Sequence, residues 1–283
     1  MLGEMTLTRC GEVWIHTYTA PEEGWCVNSH IVEAETGLIV VDAQYMLPYA
    51  HEVTAYAAGL GKPIKRLYLS HFHPDHILGA WAFSCPIYAI GAVAAKISAV
   101  GDRVASEEHE KHGDAIPTRA KQPNHVLEPG LEIIEKTRFE FLHLQHAETA
   151  DALMVGLPDC SVLITQDLIY NGVHVFVGEQ AFDNWAGALQ RTQALNYDTL
   201  LPGHGSPGGP ELYGAMLQYL DAARDAYAKS SSGVELKERM VTAFPRYRGQ
   251  VLLDHQARFL FPKKAQSRGE AQANGIEASH DTR

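Results

Sequence analysis

Ser70-His-Phe-His-Pro-Asp-His76 places three imidazoles and one carboxylate within six residues. Imidazole nitrogen and carboxylate oxygen are the donors that a divalent cation most often takes from a protein. The stretch follows Ile64-Lys-Arg-Leu-Tyr-Leu69, which reads as a buried strand. In extended backbone, positions two apart share a face, so His71 and His73 can converge on one ion. Pro74 ends the strand and suits the first position of a helix, where its missing N–H costs little. That turn re-aims Asp75 and His76 toward a second point, a spacing that fits two metals better than one. The competing reading, a histidine-rich surface turn, leaves the spacing unexplained.

H-x-H-x-D-H after a buried strand resembles the signature of the metallo-β-lactamase superfamily, and the resemblance extends over roughly residues 11 to 210. It implies an α/β fold, a four-layer αβ/βα sandwich of the metallo-β-lactamase type, with one or two metal ions at the edge of the central sheets. Asp42, closing Leu38-Ile-Val-Val41, is similar to the family's first signature carboxylate, which stands behind a ligand and fixes its tautomer. Asp167, after Val162-Leu-Ile-Thr-Gln166, is similar to the aspartate that bridges the two ions. His204, in Leu201-Pro-Gly-His-Gly205, is similar to the last ligand histidine, and Gly203 and Gly205 let the backbone approach closely.

One ligand departs from the commonest pattern of the family. The usual histidine, nine residues before the leucine of Leu157-Pro158, falls here on Glu148. The alkylsulfatase-like branch resembles this in carrying a glutamate at that place, which makes Glu148 the first choice and His146, after a small register shift, the second. A carboxylate there makes the site harder and more negative. Tyr170, three residues after Asp167, is similar to the D-x-x-Y of quorum-signal lactonases, whose tyrosine faces the substrate carbonyl. A phenol so placed donates to a developing oxyanion, the bland alternative being a packed tyrosine. His174 reads as a pocket wall, and His109, His112, His125 and His255 read as surface residues.

The cofactors implied are two divalent ions, zinc first, with iron or manganese as alternatives. Water held between two such ions loses a proton near neutral pH and becomes the nucleophile. Asp75 then doubles as ligand and proton acceptor. A small ester, thioester or lactone is the substrate class the resemblance implies, with sulfate or phosphate esters behind it. A drug-hydrolysing β-lactamase is disfavoured, since such enzymes often carry cysteine where Asp167 stands. The basic tail of the glyoxalase II relatives is not recognisable after Glu211, and the large alkylsulfatases carry further domains. A mononuclear iron oxygenase acting on persulfides would leave Asp75, His76 and His204 without a metal to hold. A non-catalytic metal-binding protein is the third reading.

The elements that must position these residues come in two blocks. Residues 12–18, 25–33 and 37–42 read as a β-meander. A helix over 49–59, the strand before His71, a helix over 74–83, a strand over 87–90 and a helix over 93–100 then give βαβ arithmetic. Residues 101–122 show no clear period and read as a helix-containing insertion or loop. Strands over 131–134, 139–144, 152–157 and 161–165 follow, then a helix over 183–195, a short strand over 199–201, a helix over 211–229 and a mostly helical stretch over 234–261. The first 262 residues read as one domain, and 263–283 as a disordered tail.

Composition narrows the partners. With 34 acidic against 23 basic residues the chain carries −11, which repels nucleic-acid phosphates and anionic membranes. A small-molecule substrate is expected, and homo-oligomer formation is left open. Residues 1–10 carry two charges and no apolar run, so no secretory leader is read there. Four cysteines without close pairs suggest neither a disulfide framework nor a cysteine zinc site. A cytoplasmic protein is the expectation.

Overall fold

The computed structural model describes residues 1–262; the expected tail over 263–283 lies outside the described residues. Two sheets carry the fold. The first has seven strands in chain order: β1 (Glu4–Cys10), β2 (Val13–Thr19), β3 (Asn28–Glu33), β4 (Leu38–Val41), β5 (Ile64–Tyr68), β6 (Ile87–Ile90) and β7 (His125–Leu127). Its first four strands pair antiparallel and the last four parallel. The parallel half needs crossovers, and these are α1 (Leu47–Gly59) between β4 and β5 and α3 (Gly91–His112) between β6 and β7. β4 is buried along its whole length, as a strand covered on both faces must be.

The second sheet has five strands in the order β12 (Thr199–Gly205), β11 (Val162–Asn171), β10 (Asp151–Leu157), β9 (Thr137–Gln145) and β8 (Gly130–Ile134). Only β11 and β12 run parallel, joined through α4 (Phe182–Gln193). After β12 come α5 (Glu211–Ala228), α6 (Gly233–Ala243) and α7 (Gln250–Leu260). The whole is an α/β fold of two mixed sheets flanked by helices, the αβ/βα sandwich the sequence implies.

Direct hydrogen bonds tie the two sheets together near their strand ends. Leu153 N–H donates to the Ser70 carbonyl at 2.8 Å, and the Asn28 amide donates to the Pro202 and Gly205 carbonyls at 2.8 and 2.7 Å. His30 Nε2–H donates to the Pro202 carbonyl at 3.0 Å while Nδ1 accepts from the Thr17 hydroxyl. It is a satisfied core histidine.

Several elements differ from expectation. Strand β1 lies in a stretch that reads as featureless, because as an edge strand it exposes most of its residues and lacks an apolar run. The three-residue β7 is too short to carry a periodic signal of its own. Helix α3 runs through half of the segment that reads as aperiodic, burying only Val93, Ile97, Gly101, Ala105 and Glu108 along one stripe. The helix expected over 74–83 is one turn, α2 (Pro74–Ile77), followed by 3₁₀ backbone over Leu78–Ala82. Two cysteines 150 residues apart, Cys10 and Cys160, form a disulfide with their Cα atoms 5.1 Å apart, which corrects the expectation of none. Sheet stacking brings them together, a proximity that spacing along the chain does not encode.

Candidate metal centre

The candidate side chains come from strands β11 and β12, from the loops after β4, β5 and β9, and from helix α2. His71 and Phe72 form the bend that follows β5, so His71 and His73 converge through that bend rather than along one continuous strand. Their ring centroids stand 4.7 Å apart. His73 is the extended residue before α2, and Pro74 opens the helix that carries Asp75 and His76. Asp167 and Tyr170 belong to β11, which runs past the expected end at residue 165, and His204 pairs with Tyr170 across β11 and β12.

Among the described residues three groups of possible ligand atoms result; Asp42, His71 and His76 form one, and the two larger clusters share Asp167. His71, His73, Glu148 and Asp167 make the first of these larger clusters, and Asp75, His76, Asp167 and His204 the second. In the first, His71 Nε2 and His73 Nδ1 lie 3.6 and 3.5 Å from Glu148 Oε2. In the second, His204 Nε2 lies 3.2 Å from Asp75 Oδ2 and 3.3 Å from Asp167 Oδ2, and His76 Nε2 lies 3.2 Å from Asp167 Oδ1. Ligands about 2.0–2.1 Å from a tetrahedral ion stand about 3.3 Å from one another, so these separations match the edges of a coordination shell.

Hydrogen bonds behind the imidazoles select which nitrogen is free. His76 Nδ1–H donates to Asp42 Oδ2 at 2.6 Å, and His204 Nδ1–H donates to the Trp25 carbonyl at 2.8 Å. Ser70 Oγ–H donates to Asp42 Oδ2 at 2.7 Å, so the same oxygen accepts from His71 Nδ1–H at 2.9 Å. All three rings therefore present a bare Nε2. Asp42 accepts in addition from the Ser70 N–H at 2.7 Å and from the Gln166 amide. Both Asp42 and Gln166 have left-handed backbone, φ 64° and 46°, Asp42 just past the end of β4 and Gln166 at an irregularity within β11.

Among the described residues the bare nitrogens have no hydrogen-bond partner. His71 Nε2, His76 Nε2, His204 Nε2, Glu148 Oε2 and Asp167 Oδ1 are all buried without a hydrogen bond. A buried polar atom left unpaired costs about 1–3 kcal/mol, and five of them gathered around two points fit the ligand positions of bound cations. Titration behaviour agrees. Burial and the Asp167 charge push the Glu148 carboxyl up to about 7. Burial raises Asp75 and Asp167 too, but their neighbours His76 and His204 outweigh it and hold both below the ordinary carboxylate range.

Tyr170 is buried with its hydroxyl 2.6 Å from Asp167 Oδ2 and 2.9 Å from Glu148 Oε1, donating to one of the two, and its ring stacks on His204 at 4.4 Å. Burial, then the two carboxylates, raise its pKa well above the ordinary phenol. It is packed and directed at the ligands at once. A cavity of about 350 Å³ opens onto His73, Asp75, Glu148, Asp167 and Tyr170.

Other candidates fall elsewhere. His146 is exposed with φ 54° and joins neither cluster, which leaves Glu148 at that place. His174 does not line the cavity; it is buried, and its Nδ1 meets the Tyr219 hydroxyl at 3.0 Å. His255, expected at the surface, lines the cavity instead, with its ring 4.4 Å from that of Trp25. His109 bonds the Ile116 carbonyl, His112 is exposed, and His125 is exposed and stacked on Tyr88. Sequence reasoning assigns Gln166 and the Trp25 carbonyl no role. Gln166 has a usable signal, an amide placed between an apolar strand and a candidate ligand.

Comparison with known proteins agrees with this geometry. The profile described as "Metallo-beta-lactamase superfamily" matches residues 24–204. A linear primary-alkylsulfatase from Pseudomonas sp. (strain ATCC 19151) is 28% identical over 217 residues, 62% of this chain and 41% of the relative. The chain thus spans about two fifths of the length of that curated relative. Among solved structures, a metallo-beta-lactamase from Pontibacter korlensis superposes with a TM-score of 0.58 at 22% identity, covering 77% of this chain and 99% of the other. The mono-zinc form of the metallo-beta-lactamase FIM-1 from Pseudomonas aeruginosa gives 0.56 at 22% identity, covering 77% and 96%. Those two likenesses concern the fold.

Proposed function

Because the chain belongs to the metallo-beta-lactamase superfamily, we propose that it is a hydrolase that holds two divalent ions and cleaves a small ester, thioester or lactone. The observation that carries this reading is the set of five buried, unpaired ligand atoms disposed around two points that share Asp167. A mononuclear oxygenase would use one of the two clusters and strand the other. Zinc is the ion we favour for a mixed nitrogen and oxygen donor set, with iron and manganese next.

His71, His73 and Glu148 would hold one ion, Asp75, His76 and His204 the other, and Asp167 both. When bound, the ions supply Lewis acidity toward a scissile carbonyl and acidify water. Asp42 and the Trp25 carbonyl keep the imidazoles in the ligating tautomer. Asp75, on the cavity side of the second cluster, is placed to take the proton of the attacking water. Tyr170 steadies Glu148 and Asp167 and offers its O–H to charge that develops beside them.

Sulfate-ester cleavage is the second reading, favoured by the alkylsulfatase relative and by Glu148 in place of a histidine. The cavity argues for the carbonyl substrate. Its walls carry Glu107, Glu108 and Glu179, and its two arginines, Arg103 and Arg258, are already engaged by Glu107 at 2.8 Å and Glu108 at 3.4 Å. An anionic sulfate therefore finds neither wall guanidinium free to receive it.

The test is turnover of 4-nitrophenyl acetate, γ-butyrolactone and 4-nitrophenyl sulfate by protein stripped with a chelator and then given back zinc. Carbonyl-ester or lactone turnover should vanish on stripping and return with about two ions per chain. Undiminished turnover after stripping overturns the metal reading, and turnover of the sulfate alone overturns the substrate class.

A further inference from the structure

Helix α7 lies beyond the family-matched stretch, yet it lends Leu252, His255, Arg258 and Phe259 to the wall of the metal cavity. Around His255 the wall is aromatic: ring centroids of Trp25, Phe176 and Phe259 stand 4.4, 5.7 and 5.7 Å away. Phe176 also faces the ligand His73 at 5.4 Å, so His255 stands one aromatic ring away from the metal cluster, outside the reach of a coordinating atom.

The tautomer of His255 follows from its partner. The Arg258 guanidinium lies 3.0 Å from His255 Nε2. A guanidinium has no lone pair to offer, so Nε2 accepts and the ring proton sits on Nδ1. Burial, with Arg258 beside it, pushes the imidazole pKa down to about 3, so the ring is neutral across the physiological range. Among the described residues, Nδ1–H has no hydrogen-bond acceptor. Arg258 is itself fixed by Glu108, which also accepts from the Tyr45 hydroxyl at 2.6 Å and from Lys111 at 2.6 Å. His255 thus presents an oriented, uncharged donor among the rings of Trp25, Phe176 and Phe259, next to the Arg258–Glu108 ion pair.

We propose that His255 is a specificity-determining residue whose Nδ1–H donates to a neutral oxygen acceptor on the apolar arm of the substrate, away from the scissile bond. This rests on the hydrolase reading above and names its substrate class: a neutral ester, thioester or lactone with an aliphatic or aromatic arm that bears a carbonyl or ether oxygen. An uncharged donor suits an uncharged acceptor. A carboxylate on the arm would find both wall arginines already paired, Arg103 with Glu107 and Arg258 with Glu108. A substrate without the oxygen covers the donor and leaves it unpaired, which is what penalises that substrate.

Calorimetric binding of N-phenylhexanamide and N-phenyl-5-oxohexanamide to the zinc-loaded protein tests this without requiring turnover. The oxo compound should bind about five- to tenfold more tightly to the wild type. That preference should disappear in His255→Phe and persist in His255→Asn, whose side-chain amide falls where Nδ1 stands. Equal binding to the wild type overturns the proposal, as does a preference that survives His255→Phe. Because the wild-type comparison needs no variant, it stays decisive even if either variant misfolds. Oxo-selective binding without hydrolysis of any carbonyl ester or lactone would instead overturn the hydrolase reading alone.

Discussion

Gly203 packs so tightly against Asp167 that a methyl group on its Cα would fall inside the carboxylate. The absence of a side chain on β12 is therefore what lets the shared carboxylate of β11 lie between the two clusters. Gly203→Ala should push Asp167 aside and lower metal affinity at least tenfold while the far-ultraviolet circular dichroism stays unchanged. Metal content after dialysis against a weak chelator reads this directly.

His73→Ala should abolish both metal retention in the first cluster and hydrolysis. Tyr170→Phe should keep the metal content and lower kcat about ten- to a hundredfold, since it removes a donor and no ligand. The two measurements together separate a ligand from a residue that acts on the reacting charge. Full activity in His73→Ala would contradict the assignment of the site.

Asp42 accepts from four groups with no contact to solvent, so charge removal and truncation there should differ in kind. Asp42→Asn keeps the shape and should cost about ten- to a hundredfold in metal affinity. Asp42→Ala leaves the His76 and Ser70 donors buried and unpaired, and should lower unfolding free energy by about 3–5 kcal/mol. Urea denaturation of the metal-free proteins distinguishes the two.

The Cys10–Cys160 bond closes a loop of about 150 residues, for which chain-entropy arguments give stabilisation of about 5 kcal/mol. Thiol titration in denaturant should count Cys26 and Cys85 only, rising to four after reduction. Dithiothreitol should lower Tm by several degrees, and Cys10→Ser should reproduce that shift and be insensitive to the reductant.

Burial pushes the pKa of His174 down to about 4, against about 6.5 in the unfolded chain. Between those values the unfolded state binds the extra proton. Stability from this residue is full above pH 6.5 and is lost as pH falls toward 4, by at most about 1.4 kcal/mol per pH unit. The unfolding free energy of the wild type minus that of His174→Phe, measured at pH 7.5, 6 and 5, should shrink accordingly.

The parts of the site that are legible in the sequence are those governed by local rules. Asp42 and Asp167 follow apolar strands, His204 is flanked by glycines, and the turn at Pro74 splits the histidine cluster into two directions. Glu148 is reached only by counting back from Leu157, and its rival His146 is excluded by a left-handed backbone that points it to solvent, a three-dimensional fact. Edge strand β1 and the stripe of α3 escape because exposed residues outnumber buried ones in both, which erases the periodic signal. His255 escapes for a different reason: nothing in its own neighbourhood of the chain refers to Trp25 or Phe176, which reach it across the fold.

Ligand-bearing residues all fall between positions 42 and 204, whereas a wall of the cavity comes from α7, after position 249. On the hydrolase reading proposed above, ligands and selectivity belong to separate passages of the chain. Point changes along the cavity-facing side of α7 should then retune what is accepted without touching the ligand atoms, which makes that helix the natural target for directed evolution.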